Sequence, residues 1–181
     1  MRVVALATAS VAALSAPGAY AVEYLTAEQA ARSMFADADR FEPREVEFDA
    51  GALRELAAAG VAARSARWPV QLARRGDATL GYVVIDNVVG KFELITYAVG
   101  IGRDGSVRQV EILSYRESHG FEVRLPGWRR QFVGKTRASP LRVGDDIANI
   151  SGATLSCSHV TEGVRRIVAV VDAARRIGSL P

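Results

Sequence analysis

Apolar positions along the chain switch between helical and alternating spacing, and the switches mark its elements. From Thr26 to Asp39 they recur at Ala27, Ala30, Ala31, Met34, Phe35 and Ala38, one face of a helix. Thr26 and Gln29 have capping-box spacing, and Leu25 with Ala30 suits a hydrophobic staple, so the helix is predicted from Thr26. Met34 reads as core filler on that stripe. Glu42-Pro43 breaks the pattern. Asp49 then reads as the N-cap of a short second helix with Leu53, Leu56 and Ala57 on one face, weakened by Gly51 and stopped by Gly60.

The middle of the chain is β-rich. Val70–Ala73 and Thr79–Ile85 flank Arg74-Arg75-Gly76-Asp77-Ala78, and Phe92–Ile101 and Ser106–Tyr115 flank Arg103-Asp104-Gly105, both hairpin patterns. Phe92, Leu94, Thr96, Ala98 and Gly100 alternate with Glu93, Ile95, Tyr97, Val99 and Ile101. Both sets are largely apolar, which predicts a central strand covered on both faces. Arg116 to Pro140 reads as a long irregular segment, yet Phe121, Trp128 and Phe132 argue that it is ordered. A last helix is predicted from about His159 to Ile177, with Val160, Val164, Ile167, Val171 and Ala174 on one stripe and Arg165, Arg166, Arg175 and Arg176 off it. The sum is an α+β fold: a twisted antiparallel sheet with helices packed on it.

With 49% hydrophobic and 24% charged residues, the 181-residue chain has enough apolar side chains for a real core. The net charge of +3 is spread among interspersed acids, with no clustered basic stripe, which argues against nucleic-acid binding. Cys157 stands alone, so neither a disulfide nor a CxxC pair is available, and it reads as a small semi-apolar residue near a helix start. No metal site is expected from His119 and His159. Trp68 reads as core or edge packing; Trp128 fits a loop anchor or a stacking surface equally well. Asp86, Glu93 and Glu111 sit in strands where solvent-facing carboxylates are ordinary.

The N-terminus has the layout of an export signal. Arg2 precedes an apolar run from Val3 to Leu14, too short to span a bilayer, and Ala19-Tyr20-Ala21 suits cleavage before Val22. Residues 1–21 are therefore expected to be a signal peptide and residues 22–181 an exported, periplasmic domain that stays soluble after cleavage.

The chemistry concentrates at Ser151-Gly152-Ala153-Thr154-Leu155-Ser156, small and hydroxyl residues before the last helix. A helix N-terminus offers unpaired N–H groups and a positive dipole end, which suit a phosphate. A Ser/Gly/Thr-rich helix cap accounts for the same residues without a ligand.

Ser151-Gly152-Ala153-Thr154 resembles the S/T-G-A-T/S signature of the FMN-binding domain family, whose members include the G subunit of Rnf complexes and the C subunit of the sodium-pumping NADH:quinone reductase. Arg116-Glu117-Ser118-His119-Gly120 resembles the family's E-T-P-G-like turn, and Phe132-Val133-Gly134-Lys135 its F-x-G-K stretch. The resemblance covers roughly residues 79 to 171. It implies a single FMN, esterified through its phosphate to Thr154 by a flavin transferase that uses FAD. It also implies Ser151, Gly152, Ala153 and Ser156 near the phosphate and Glu117, Ser118, His119 and Gly120 near the flavin. The C-terminal helix would follow the attachment turn, and membrane or envelope redox proteins would be the partners. No catalytic residue is assigned, since electron transfer needs no substrate pocket of its own. The family's Asp three residues before the signature is replaced by Ala148, with Asp145 and Asp146 upstream, so non-covalent FMN stays open. Two other readings also stay open: a flavin-free exported binding module of the same fold, and a flavin reductase with a small substrate of its own.

Overall fold

A computed structural model describes residues 22–181; the expected export signal at residues 1–21 lies outside them. The capping box forms as predicted: Gln29 N donates to Thr26 Oγ1 at 3.2 Å and Thr26 N to Gln29 Oε1 at 2.9 Å. The helix it starts, α1 (Ala27–Met34), ends before the expected Asp39. Phe35 leaves helical geometry, with φ −133° and ψ 68°, and buries its ring over Gly81. Asp39 N then donates to Arg74 O, bringing the chain to the sheet edge.

Six strands make one antiparallel sheet: β1 (Val22–Glu23), β2 (Arg40–Glu47), β3 (Arg67–Arg75), β4 (Ala78–Val89), β5 (Leu94–Gly102) and β6 (Val107–Tyr115), in the order β1-β6-β5-β4-β3-β2. The expected break at Glu42-Pro43 is instead the interior of β2, where Pro43 pairs with Gln71. β2 is an edge strand with one partner only, the position where a residue lacking an N–H is tolerated.

The predicted central strand, β5, lies between β4 and β6. Its two faces serve two cores. Ala98 packs with Ala30, Ala31, Met34 and Phe35 of α1, whereas Ile95, Tyr97, Val99 and Ile101 belong to the larger core on the opposite side. That larger core is roofed by α4 (Thr154–Arg176), whose Val160, Val164, Ile167, Val171 and Ala174 are all buried as the stripe predicts. The short α2 (Ala50–Ala58) has its predicted cap, Ala52 N to Asp49 Oδ1 at 2.8 Å, and buries Leu56; Ala57, expected on the same face, is exposed.

Two further expectations change. The segment after β6 is not irregular throughout: a 3₁₀ turn at Phe121–Arg124 leads into α3 (Pro126–Arg129) and a second 3₁₀ turn at Arg130–Phe132. Val123, Trp128 and Phe132 bury beneath it, and Trp128 Nε1 donates to Ala148 O at 2.8 Å. Trp128 is thus a loop anchor. Second, α4 begins at Thr154, not near His159.

Asp86 and Glu111 are also not ordinary solvent-facing carboxylates. Glu111 is buried against Arg129, and Asp86 lies 3.5 Å from the buried Arg166 while accepting from Tyr97 Oη at 3.2 Å. Burial first, then the neighbouring Asp86 carboxylate, pushes the Tyr97 phenol far above its ordinary range. No helix among the described residues is long and apolar enough to cross a membrane.

Candidate functional site

The first wall of the site is the start of α4. Ala153 N closes a turn onto Ile150 O at 3.0 Å, with Gly152 at φ +83°. Ala153 is the N-cap and no side chain caps the helix. The first helical bond runs from Cys157 N to Ala153 O, so the N–H groups of Thr154, Leu155 and Ser156 lack intrahelical partners. Thr154 is exposed, and its Oγ1 accepts from Asn149 Nδ2 at 3.1 Å. Ser156 is buried instead, its Oγ 3.3 Å from Tyr115 Oη. Cys157 is also buried, which raises its thiol pKa and fits its reading as a small core residue.

The second wall is the loop after β6, tied to the β4–β5 turn. Glu117 Oε1 accepts from three consecutive backbone N–H groups, those of Lys91, Phe92 (2.6 Å) and Glu93 (3.0 Å). Burial alone would raise the Glu117 carboxyl, but these bonds outweigh it and hold it below its usual range. Convergent N–H groups around one anionic oxygen make a nest. Ser118 and His119 are exposed, and His119 O accepts from Tyr115 Oη at 2.5 Å. Gly120 is buried with φ +83°; a Cβ there would stand 2.6 Å from that of Ala153. Only a glycine lets this loop rest against the α4 cap.

Between the walls lies a cleft of about 440 Å³ lined by Lys91, Phe92, Glu117, Ser118, His119 and the run from Gly152 to Ser156. Seven of the nine expected site residues meet there: Glu117, Ser118, His119, Gly152, Ala153, Thr154 and Ser156. Ser151 sits exposed in the turn outside the lining, and Gly120 lies beneath it as packing. Sequence reasoning missed Lys91, Phe92, Leu155 and Asn149. The available signal was Phe92, a large aromatic beside a turn, 74% exposed with Lys91 Nζ 4.9 Å above its ring. The F-x-G-K stretch is a staple outside the cleft. Phe132 is buried, and Lys135 Nζ lies 2.9 Å from Asp146, whose carboxylate accepts from Leu141 N and Arg142 N. Among the described residues no cluster of His, Cys, Asp and Glu is arranged to hold a metal ion.

Residues 90–169 match the FMN-binding domain family, a stretch containing every residue that lines the cleft. This part of the chain belongs to that family. The fold of the FMN-binding domain is shared with the crystal structure of Shewanella oneidensis NqrC, with a TM-score of 0.56 and 16% identity over 82% of this chain and 88% of that one. It is shared too with the NqrC-type component of the Na⁺-translocating NADH-quinone reductase from Parabacteroides distasonis, with a TM-score of 0.53 and 16% identity over 82% and 84% of the two chains. No curated protein matches the chain in sequence.

The donors in the cleft fit an FMN phosphate: three N–H groups without helical partners, an exposed hydroxyl at Thr154 and no side chain competing for the helix end. Phe92 and Leu155, 74% and 46% exposed, add apolar surface of the kind a flavin ring would cover.

Proposed function

We propose that this chain is an exported electron-transfer flavoprotein whose FMN is joined by a phosphoester to Oγ1 of Thr154. The joining would be done by a flavin transferase that uses FAD, and the partners would be redox proteins of the membrane or envelope. The observation that carries this reading is the exposed Thr154 hydroxyl at the uncapped start of a 23-residue helix, opening into the cleft of an FMN-binding domain.

When bound, the FMN supplies the one- and two-electron chemistry. The chain does the rest. The N–H groups of Thr154, Leu155 and Ser156 would hold the phosphate, Ser118 and His119 would offer polar contacts, and Phe92 and Leu155 would exclude water. Glu117 would act at one remove, because the oxygen that bonds the β4–β5 turn holds Lys91 and Phe92 in the lining. Covalent attachment suits an exported protein: a cofactor released outside the cytoplasm is lost by dilution, and an ester removes that equilibrium.

The test is the intact mass of the denatured chain after co-production with an active transferase. The reading requires an added mass of one FMN less one water. Flavin that leaves on denaturation would reduce the proposal to non-covalent binding, and a colourless protein would favour the flavin-free module. Export is tested separately by N-terminal sequencing from the envelope fraction: Val22 is expected, and Met1 would contradict it.

A further inference from the structure

We infer that Asn149 is the positioning residue that presents the Thr154 hydroxyl for flavin transfer; the inference rests on the reading of Thr154 as the attachment point. An exposed threonine at the first position of a helix ordinarily keeps a free χ1 or bonds to its own backbone. Here Oγ1 is held from outside the helix, by Asn149 Nδ2 at 3.1 Å.

The donor is itself fixed. The residue before it, Ala148, is pinned at both polar atoms: its N donates to Gln131 Oε1 at 2.7 Å, and its O accepts from Trp128 Nε1 at 2.8 Å. Trp128 is buried and packs edge-on against Phe132, with ring centroids 5.1 Å apart. After Asn149, the turn closed by Ala153 N on Ile150 O sets where Thr154 starts the helix. The hydroxyl is thereby tied, through the Asn149 amide and the backbone of Ala148, to a buried aromatic anchor.

The chemistry gives that amide a use. In the transfer, Oγ1 bonds to the FMN-side phosphorus of FAD and the pyrophosphate P–O bond breaks. AMP leaves with its electron pair, the hydroxyl proton passes to a base on the transferase, and nothing is oxidised or reduced. An N–H donor on Oγ1 leaves the hydroxyl proton free to depart and stabilises the charge that builds on the oxygen. It also stands next to Ala148, the position at which the resembling pattern carries an aspartate.

The experiment compares the full chain with Asn149→Leu and Asn149→Asp. Methyl three-bond couplings of Thr154 report its χ1 without flavin, and the initial rate of flavin addition by a purified FAD-dependent transferase reports the chemistry. The wild type should show one χ1 rotamer. Asn149→Leu should keep its melting temperature, average over rotamers and accept flavin at least ~10-fold more slowly. Asn149→Asp has no donor and should be equally slow; loading as fast as wild type would overturn the role of the amide as donor. A single rotamer in Asn149→Leu, or an unchanged rate in it, overturns the inference while leaving Thr154 as the attachment point. A wild type that takes up no flavin while a control substrate does would instead overturn the reading of Thr154, and this inference with it.

Discussion

A Cβ on Gly90 would fall 2.5 Å from Oε1 of Glu117, so the glycine leaves room for the carboxylate that holds the turn after it. The same oxygen accepts from Lys91, Phe92 and Glu93. Gly90→Ala and Glu117→Ala should therefore have the same local effect, freeing these amides and letting Phe92 leave the cleft. Solvent exposure keeps the loss to about 1 kcal/mol. Hydrogen exchange at residues 91–93 should quicken roughly 5-fold, while the β5 and β6 amides stay protected. Unchanged exchange in both variants would show that the carboxylate does not hold the turn.

The same contact sets a pH dependence. The Glu117 carboxyl is held below its ordinary value in the fold, so its contribution is present above the unfolded value of about 4.3 and is lost as pH falls through the lower folded value. Amides 91–93 should lose protection below about pH 4, and Glu117→Gln should abolish that step. A step of the same size in the Gln variant would assign it to another group, with Asp146, also held low by its backbone and Lys135 partners against the opposing effect of burial, the first to examine.

Gly120 joins the two walls. A side chain there meets a φ of +83° and the Ala153 methyl at 2.6 Å. Gly120→Ala should cost roughly 1–3 kcal/mol in urea unfolding and should also move the Thr154 and Leu155 amide resonances, because the strain falls on the α4 cap. Stability loss without those shifts would place the strain elsewhere.

Arg166 is the charge that α4 carries into the core. Its guanidinium lies 3.5 Å from Asp86, with side-chain exposures of 8% and 20%. Arg166→Ala leaves that carboxylate and the Tyr97 phenol without a cation and should cost about 2–4 kcal/mol. Adding Asp86→Asn should recover part of the loss, and a double-mutant cycle checks it.

Local signals located much of this fold. Thr26 with Gln29, Asp49 and the alternation through β5 were legible because the groups that satisfy them lie within a few residues. What was not legible depends on distant partners. Pro43 disguised β2, which exists only because β3 pairs with it. The first turn of α4, Thr154-Leu155-Ser156-Cys157-Ser158, carries little apolar periodicity; its Ser156 and Cys157 are buried by tertiary packing, Ser156 beside Tyr115. Arg166 lies off the apolar stripe and is buried because Asp86 waits on β4. At the site, the helix-start residues and Glu117–His119 were readable as motifs, whereas Lys91 and Phe92 enter the lining through bonds to a carboxylate 25 to 26 residues further along the chain.

The central claim is that flavin is esterified to Thr154, and Thr154→Val tests it most directly. Valine keeps the β-branched shape and removes only the hydroxyl, so the variant should fold, at a cost of about 1 kcal/mol. Co-produced with an active transferase and then denatured, wild type and Thr154→Ser should carry the mass of one FMN less one water, as should Ser151→Ala and Ser156→Ala, whereas Thr154→Val should carry none. A denatured Thr154→Val chain that still holds the flavin mass would contradict the account and move the attachment to a neighbouring hydroxyl.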